Sequence, residues 1–353
     1  MQAVAGLCAL LALAQQPTPP AERFPAALDR YIAQVLVDGK IPGLAIAVVR
    51  NDSVLVAKGY GVRELGKPDR VDGNTIFDAA SLTKSFTATL AAVLVDRGQL
   101  RWDDPVQRYL PNLVLSDSVL TRTATLRDFL SHRTGLEANN MAWVLTAVDR
   151  PEMLRRMRFV RAAQRRGQSM IYSNLAYMIA GEAIAAASRK ARPHPLTPSP
   201  SGRGGTTFED LLREVLITPL KLQSTTTYEE SLRKPNVASS HANIAGRQQP
   251  VRRETQRDLT AAGGTIQSSA TDLARWMRLH LNNGTLDGVR YVSDSTMRAM
   301  HSVQVVIPTT PSMRAARLVQ DTVAGYGMGL QVMDYRGHPL LWHTGNGDGQ
   351  IAY

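Results

Sequence analysis

Phe77-Asp78-Ala79-Ala80-Ser81-Leu82-Thr83-Lys84-Ser85-Phe86 opens a stretch that runs on through Leu90, Val93 and Leu94 to Gly98. Leu82, Phe86, Leu90, Val93 and Leu94 recur at helical spacing and Gly98 closes the run, so the stretch predicts a helix with Ser81 at its N-terminal end. Ser81 and Lys84 then share a face, one turn apart. A serine hydroxyl is a poor nucleophile until a base takes its proton, and the Lys84 amine is placed to reach it. Unpaired N–H groups at a helix start also favour developing negative charge. The spacing alone carries little weight, since a chain of this length holds roughly one Ser-x-x-Lys by chance. Ser231-Leu232-Arg233-Lys234 repeats it, is followed by Pro235, has no apolar stripe behind it, and reads as that chance copy.

Upstream, Leu28, Ile32, Val35 and Leu36 predict a helix over Ala26–Val37. The apolar run Leu44–Val49, the Asn51-Asp52 turn and Val54–Ala57 predict a β-hairpin. Downstream the chain reads as mainly helical, over Thr125–Leu130, Met141–Val148, Leu175–Ala187, Phe208–Val215 and Ala270–Leu281. Strands return at Tyr326–Tyr335 and Pro339–His343 around Arg336-Gly337-His338. Residues 192–205, rich in Pro and Gly, fit neither helix nor strand and read as a disordered surface insertion.

The 353 residues are 44% apolar, ample for a buried core, and carry a net charge of +11. The arginines are scattered, without the interleaved aromatics or finger spacing of a nucleic-acid binder, so no nucleic-acid partner is expected. The nearest clusters, Arg155, Arg156 and Arg158 and then Arg161, Arg165 and Arg166, read as a solvated face. Cys8 is the single cysteine, which excludes a disulfide framework and a cysteine metal site. There is no His-Glu-x-x-His and no Gly-x-Ser-x-Gly, so no metal or other cofactor is expected and an α/β-hydrolase elbow is excluded. The apolar run Ala3–Ala14 is too short to span a bilayer and ends in Ala12-Leu13-Ala14. Residues 1–14 read as a signal peptide cut before Gln15 and 15–22 as a linker, giving an exported, periplasmic or extracellular protein associated with the cell envelope.

Two further stretches carry polar groups suited to a serine hydrolase. Tyr172-Ser173-Asn174 precedes the helix at Leu175: a tyrosine hydroxyl relays protons, Asn174 both donates and accepts, and Ser173 and Asn174 are also good helix caps. His343-Thr344-Gly345 ends a predicted strand, where a hydroxyl and a glycine let a substrate backbone approach.

Helix start, loop before a helix, strand end: in this order the three motifs resemble the serine β-lactamases and penicillin-binding proteins. Phe77-Asp78-Ala79-Ala80 before Ser81, Leu130-Ser131-His132-Arg133-Thr134-Gly135-Leu136, and Ala262-Gly263-Gly264 followed by Ser269 and Asp272-Leu273 are similar to stretches of the same family. The likeness runs from about residue 25 to the last residue and takes in class C enzymes, D-Ala-D-Ala carboxypeptidases and family VIII-type esterases. It implies an α/β (α+β) fold, an antiparallel sheet flanked by helices with an all-helical subdomain over about residues 80–255, within a hydrolase domain at 23–353. It implies that Ser81 forms the acyl-enzyme, Lys84 keeps Ser81 deprotonatable, and Tyr172 acts as base and then protonates the leaving group. Asn174 would hold substrate, His343, Thr344 and Gly345 would line its edge, and the N–H groups of Ser81 and Asn346 would form the oxyanion hole.

The chain departs from the pattern in three places. Tyr172 stands where class A enzymes carry serine, which points to the class C and esterase side. His343 replaces a lysine, exchanging a permanent cation for a group that titrates near neutrality; this favours ester, amide or peptide substrates without an obligatory carboxylate over β-lactams or D-Ala-terminated peptides. Relatives continue beyond the third motif with strands and a C-terminal helix, whereas here Gly349–Tyr353 closes the chain. The sequence therefore reads as a fragment with Leu44–Val49 as an uncovered apolar edge. The competing reading is a non-catalytic relative that binds peptide or cell-wall fragments in the same cleft.

Overall fold

The computed structural model describes residues 23–139, 148–191, 207–251, 261–307 and 324–353. The expected signal peptide and linker, all but the last residue of the helix predicted at Met141–Val148, and the stretch 192–205 lie outside the described residues. The chain opens with helix α1 (Arg23–Asp38) and the hairpin β1 (Gly43–Arg50) and β2 (Ser53–Gly61), paired antiparallel from Gly43↔Gly61 to Arg50↔Ser53. Leu44, Ile46 and Val48 pack with Leu28 and Ile32 of α1. Side chains alternate along a strand, so Ala45, Ala47 and Val49 face the other way, where helix α6 (Ala270–Leu281) lies across the hairpin. Two covered faces explain why this strand reads as a continuous apolar run. Tyr60 donates to Asp29 at 2.6 Å and ties α1 to β2, and Arg278 pairs with Asp52 at 2.7 Å and ties α6 to the hairpin turn. Among the described residues β1 pairs with β2 alone, and Gly43–Val49 are half-buried.

After β3 (Phe77–Asp78) a 3-10 turn, Ala80–Leu82, leads into α2 (Thr83–Asp96). The apolar stripe predicted one buried face; the structure buries residues 83–94 on every side. The polar members are satisfied by nearby carbonyls: Thr83 Oγ1 donates to Ala80 O at 2.6 Å, Ser85 Oγ to Leu82 O at 2.8 Å and Thr87 Oγ1 to Ala262 O at 2.6 Å. Phe86 stacks on Trp276 of α6 with ring centroids 3.7 Å apart. Around α2 lie α3 (Leu126–Leu130), opened by a Thr125/Asp128 capping box, and α4 (Arg150–Arg156). The long helix α5 (Asn174–Ala191) and α7 (Asp294–His301) complete this group. The arginine cluster is solvated as expected: Arg155 and Arg156 are exposed and pair with Glu152 at 2.6 and 2.7 Å.

The remaining strands are β4 (Thr226–Thr227), β5 (Ser240–Ile244), β6 (Arg247–Val251) and β7 (Ile266–Ser268), then β8 (Val305–Val306) and β9 (Gly325–Tyr326). They are followed by β10 (Gln331–Tyr335), β11 (His338–Trp342), β12 (Gly345–Gly347) and β13 (Gln350–Ala352). The order β8-β9-β10-β11 makes a four-stranded sheet, β3-β7-β4 a three-stranded one, and β12-β13 a hairpin. All these ladders are antiparallel. The predicted Tyr326–Tyr335 strand is in fact two, broken by a turn at Gly327–Leu330 whose Gly327 N–H donates to Leu330 O at 2.8 Å. The helix predicted at Phe208–Val215 changes at Arg213 into a π-turn, Arg213–Ile217.

Candidate active site

Ser81 lies in the 3-10 turn just ahead of α2, half-buried. Three distant segments hold this turn. Asp78, buried, accepts from the Ala80 N–H at 2.9 Å and from Gln267 Nε2 of β7 at 2.8 Å. The Asp78 N–H donates to Gln350 Oε1 of β13 at 2.6 Å. Ala80 has a φ of 43°, a left-handed conformation that a non-glycine residue adopts only when its surroundings enforce it. On the other side β12 packs against the turn.

Lys84 is fully buried one turn along. Its Nζ sits 3.1 Å from Ser81 Oγ and donates to Asn174 Oδ1 at 2.8 Å and to the Gly263 carbonyl at 2.8 Å. Both of those partners only accept. Burial pushes the Lys84 amine well below the usual lysine range. In its neutral form, which burial favours, the amine has two N–H groups for these acceptors and one lone pair for the Ser81 hydroxyl. Tyr172 hydrogen-bonds with Ser81, and its ring centre lies 4.7 Å from Lys84 Nζ. Burial pushes its phenol up to about 12, so it keeps its proton at neutral pH. Ser173 and Asn174 divide the two roles their sequence suggested: Ser173 Oγ accepts from the Ala176 N–H at 3.2 Å at the start of α5, while Asn174 turns to Lys84.

His343 requires a correction. It does not titrate near neutrality, because burial disfavours its charged form and holds its pKa at about 3. Nδ1 lies 2.6 Å from Thr344 O, which can only accept, so Nδ1 carries the proton. Nε2 then accepts from the buried Tyr326 hydroxyl at 3.0 Å. The imidazole thus braces the end of β11 as a neutral group. Thr344 is half-buried, Gly345 buried and Asn346 exposed on β12, paired with Ile351. Ser81, Lys84, Tyr172 and Asn174 meet in one site, with β12 alongside; the chance copy Ser231 instead donates to Tyr228 O at 2.7 Å. Gly263, Asp78, Gln267 and Tyr326 are supports that sequence reading did not single out for a role. Gly263 and Asp78 stand in the stretches of family likeness, and nothing local marks Gln267 or Tyr326. Among the described residues no cluster of three or more His, Cys, Asp or Glu is placed to hold a metal.

Four histidines, His132 and His343 buried and His280 and His301 half-buried, set an acid limit on stability. His301 is lowered by burial to about 4, His343 to about 3, and His132 and His280 well below their ordinary range. Each has a folded pKa below its unfolded value, so below pH about 6.5 the unfolded chain takes up protons that the folded chain refuses. Stability therefore falls as pH drops from neutrality, His301 alone contributing about 3 kcal/mol by pH 4. Urea midpoints measured at neutral and at acidic pH check this; a midpoint that stays constant would mean that these rings accept protons in place.

Comparison with known proteins gives a consistent neighbourhood. A family model described as Beta-lactamase matches residues 28–353. The chain is 29% identical over 322 residues to penicillin-binding protein 4 of Amycolatopsis lactamdurans, covering 89% of this chain and 77% of that protein. It is 28% identical over 331 residues to unguisins hydrolase ungD′ of Aspergillus campestris, covering 90% of this chain and 56% of that protein. Among solved structures, the octameric penicillin-binding protein homologue from Pyrococcus abyssi superposes with a TM-score of 0.73 at 23% identity, over 92% of this chain and 68% of the other. The D-alanine carboxypeptidase AmpC from Burkholderia cenocepacia superposes with a TM-score of 0.70 at 19% identity, over 94% and 89%. These superpositions establish the α+β fold that the resemblance implied.

Proposed function

The chain belongs to the β-lactamase family, and from that membership and the surroundings of Ser81 we propose that it is a serine hydrolase working through an acyl-enzyme on Ser81, with neutral esters, amides or peptides as substrates. The observation that carries the reading is the Lys84 amine, fully buried and 3.1 Å from Ser81 Oγ, where burial favours its neutral form. Lys84 takes the hydroxyl proton as Oγ forms its bond to the substrate carbonyl carbon. The carbonyl oxygen, now an oxyanion, is held by the N–H groups of Ser81 and Asn346, each worth about 3 kcal/mol. Collapse breaks the bond to the leaving group, which takes a proton from the Tyr172 phenol; Lys84 returns a proton to Tyr172. In this reading Lys84, whose burial favours the neutral amine, takes the base role that the resemblance gave to Tyr172, whose phenol is pushed up to about 12. Water then attacks the acyl-enzyme and the steps run in reverse.

The preference for neutral substrates follows from His343. Both of its ring nitrogens are engaged and it stays uncharged, so that position supplies no cation for a substrate carboxylate. This disfavours the β-lactamase and D-Ala-D-Ala carboxypeptidase readings. Intact-mass analysis after treatment with a fluorophosphonate tests the nucleophile: the wild type gains one adduct and Ser81→Ala gains none. Short-chain p-nitrophenyl esters are expected to turn over faster than a chromogenic cephalosporin. A wild type that takes no label is the non-catalytic relative; one that prefers the cephalosporin has a carboxylate anchor elsewhere.

A further inference from the structure

Of the buried groups around Ser81, His132 has no task in the mechanism above. It sits in the turn after α3, fully buried, with a φ of 58°. Its carbonyl accepts from the Ile171 N–H at 2.9 Å, and its Nδ1 accepts from the Ser173 N–H at 3.2 Å. These two bonds grip the chain on either side of Tyr172. The ring itself lies 4.4 Å from the Tyr172 ring, and its other contacts are Tyr177 at 5.0 Å and Tyr326 at 4.9 Å. Tyr177 is anchored through its hydroxyl to Leu130 O at 2.5 Å, and Tyr326 to His343. Tyr172 is thus wedged against a ring that is itself wedged.

We infer that His132 is the positioning residue for Tyr172, fixing its phenol against Ser81. Two costs point the same way. The left-handed backbone at a non-glycine residue is strained, and such strain persists where a site requires it. Since Nδ1 accepts, Nε2 carries the ring proton, and that N–H is buried with no partner among the described residues. A smaller or apolar residue would avoid the unpaired N–H, so stability gives no reason for a histidine here. A flat ring with an acceptor next to Cγ does two jobs at once: it packs on Tyr172 and holds Ser173. Burial keeps the imidazole neutral, which the acceptor role requires.

The inference rests on the serine-hydrolase reading and extends it. A double-mutant cycle with Tyr172→Phe, read as the acylation rate of the full chain with an alkyl ester, whose alkoxide leaving group must be protonated, tests it. His132→Phe keeps the ring and loses the acceptor; acylation should slow by about a hundredfold, with KM for an ester little changed. His132→Asn places an acceptor at the same bond distance from Cβ, tolerates the left-handed backbone and loses the ring contact; a loss of about tenfold is expected. On the Tyr172→Phe background both losses should largely disappear, because the group they position has no proton left to move. A general structural role would instead multiply through the cycle, and losses persisting at full size in Tyr172→Phe overturn the inference. So does wild-type acylation in both His132 variants. His132→Asn keeps the cycle readable where His132→Phe fails to fold. A wild type that takes no label at Ser81 overturns the hydrolase reading itself; one that labels while the losses multiply overturns this inference alone.

Discussion

Lys84→Met leaves a folded protein without turnover. On the proposed mechanism the amine takes the Ser81 proton, and removing a general base that also serves the second half of the reaction should lower kcat/KM by about 10⁴-fold. Methionine matches lysine in length and fills the same space. It also removes the penalty for burying an ionisable amine, whose pKa burial has driven well down. Against that, the Asn174 and Gly263 carbonyl oxygens each lose a donor, at about 1–3 kcal/mol apiece. The two terms are of similar size, so the melting temperature should stay within a few degrees of wild type or rise. The pH dependence discriminates further. Because the folded pKa of Lys84 lies below its unfolded value, wild-type stability rises with pH up to the ordinary lysine range of about 10.4, and the variant lacks that contribution. Thermal melts across pH, alongside ester assays, check both statements. A variant that loses activity only because it unfolds would show Lys84 to be a structural group.

Gly345→Ala is the second large expected effect. A Cβ there would stand 2.2 Å from the Ala79 carbonyl oxygen and 3.3 Å from Leu82 Cδ1. The first contact is with backbone of the nucleophile turn, so no side-chain rotation relieves it. β12 must retreat, and Asn346 with its N–H retreats too. We expect kcat/KM to fall by about 10³-fold through the lost oxyanion donor and misplaced edge, and stability to fall by about 2–3 kcal/mol through overpacking. At Gly347 an added Cβ would likewise stand 2.2 Å from Asp78 Oδ2. Acylation rates and urea denaturation of Gly345→Ala measure the two effects separately. Normal acylation in a stable variant would mean that Asn346 does not serve the oxyanion.

What the sequence showed of this site follows from the range of the interactions. Ser81 and Lys84 lie one helical turn apart, and Tyr172 to Asn174 stand at a helix start, so local spacing exposes both. Lys84 donating to the Gly263 carbonyl joins residues 179 apart through a backbone atom, which no side-chain pattern records. His343 misled for the same reason. Its identity suggested a titrating cation, but its state is set by Tyr326 and by burial, neither visible beside it in the chain. For α2 the apolar stripe marks Leu82, Phe86, Leu90, Val93 and Leu94 and leaves out Thr83, Ser85 and Thr87, which are buried as well. Each hydroxyl finds a carbonyl, and periodicity counts polar side chains without asking whether they are satisfied. β1 was legible within one residue at each end and α6 to the residue, since a turn signal and a full amphipathic period mark them, while β2 runs to Gly61, past its expected end at Ala57.

The clasp on Asp78 has a consequence for the order of events in folding. Its side chain is held by Gln267 and its N–H by Gln350, partners 189 and 272 residues away in the chain. Contacts of such separation close late, because long loops must be ordered before the contact rewards them, whereas helices form from neighbours. On refolding from urea, far-UV circular dichroism should return ahead of the capacity to be acylated. Ser81 is thus expected to stay unreactive until both remote glutamines have arrived, so that partially folded chains would carry helices without a serine that can be acylated.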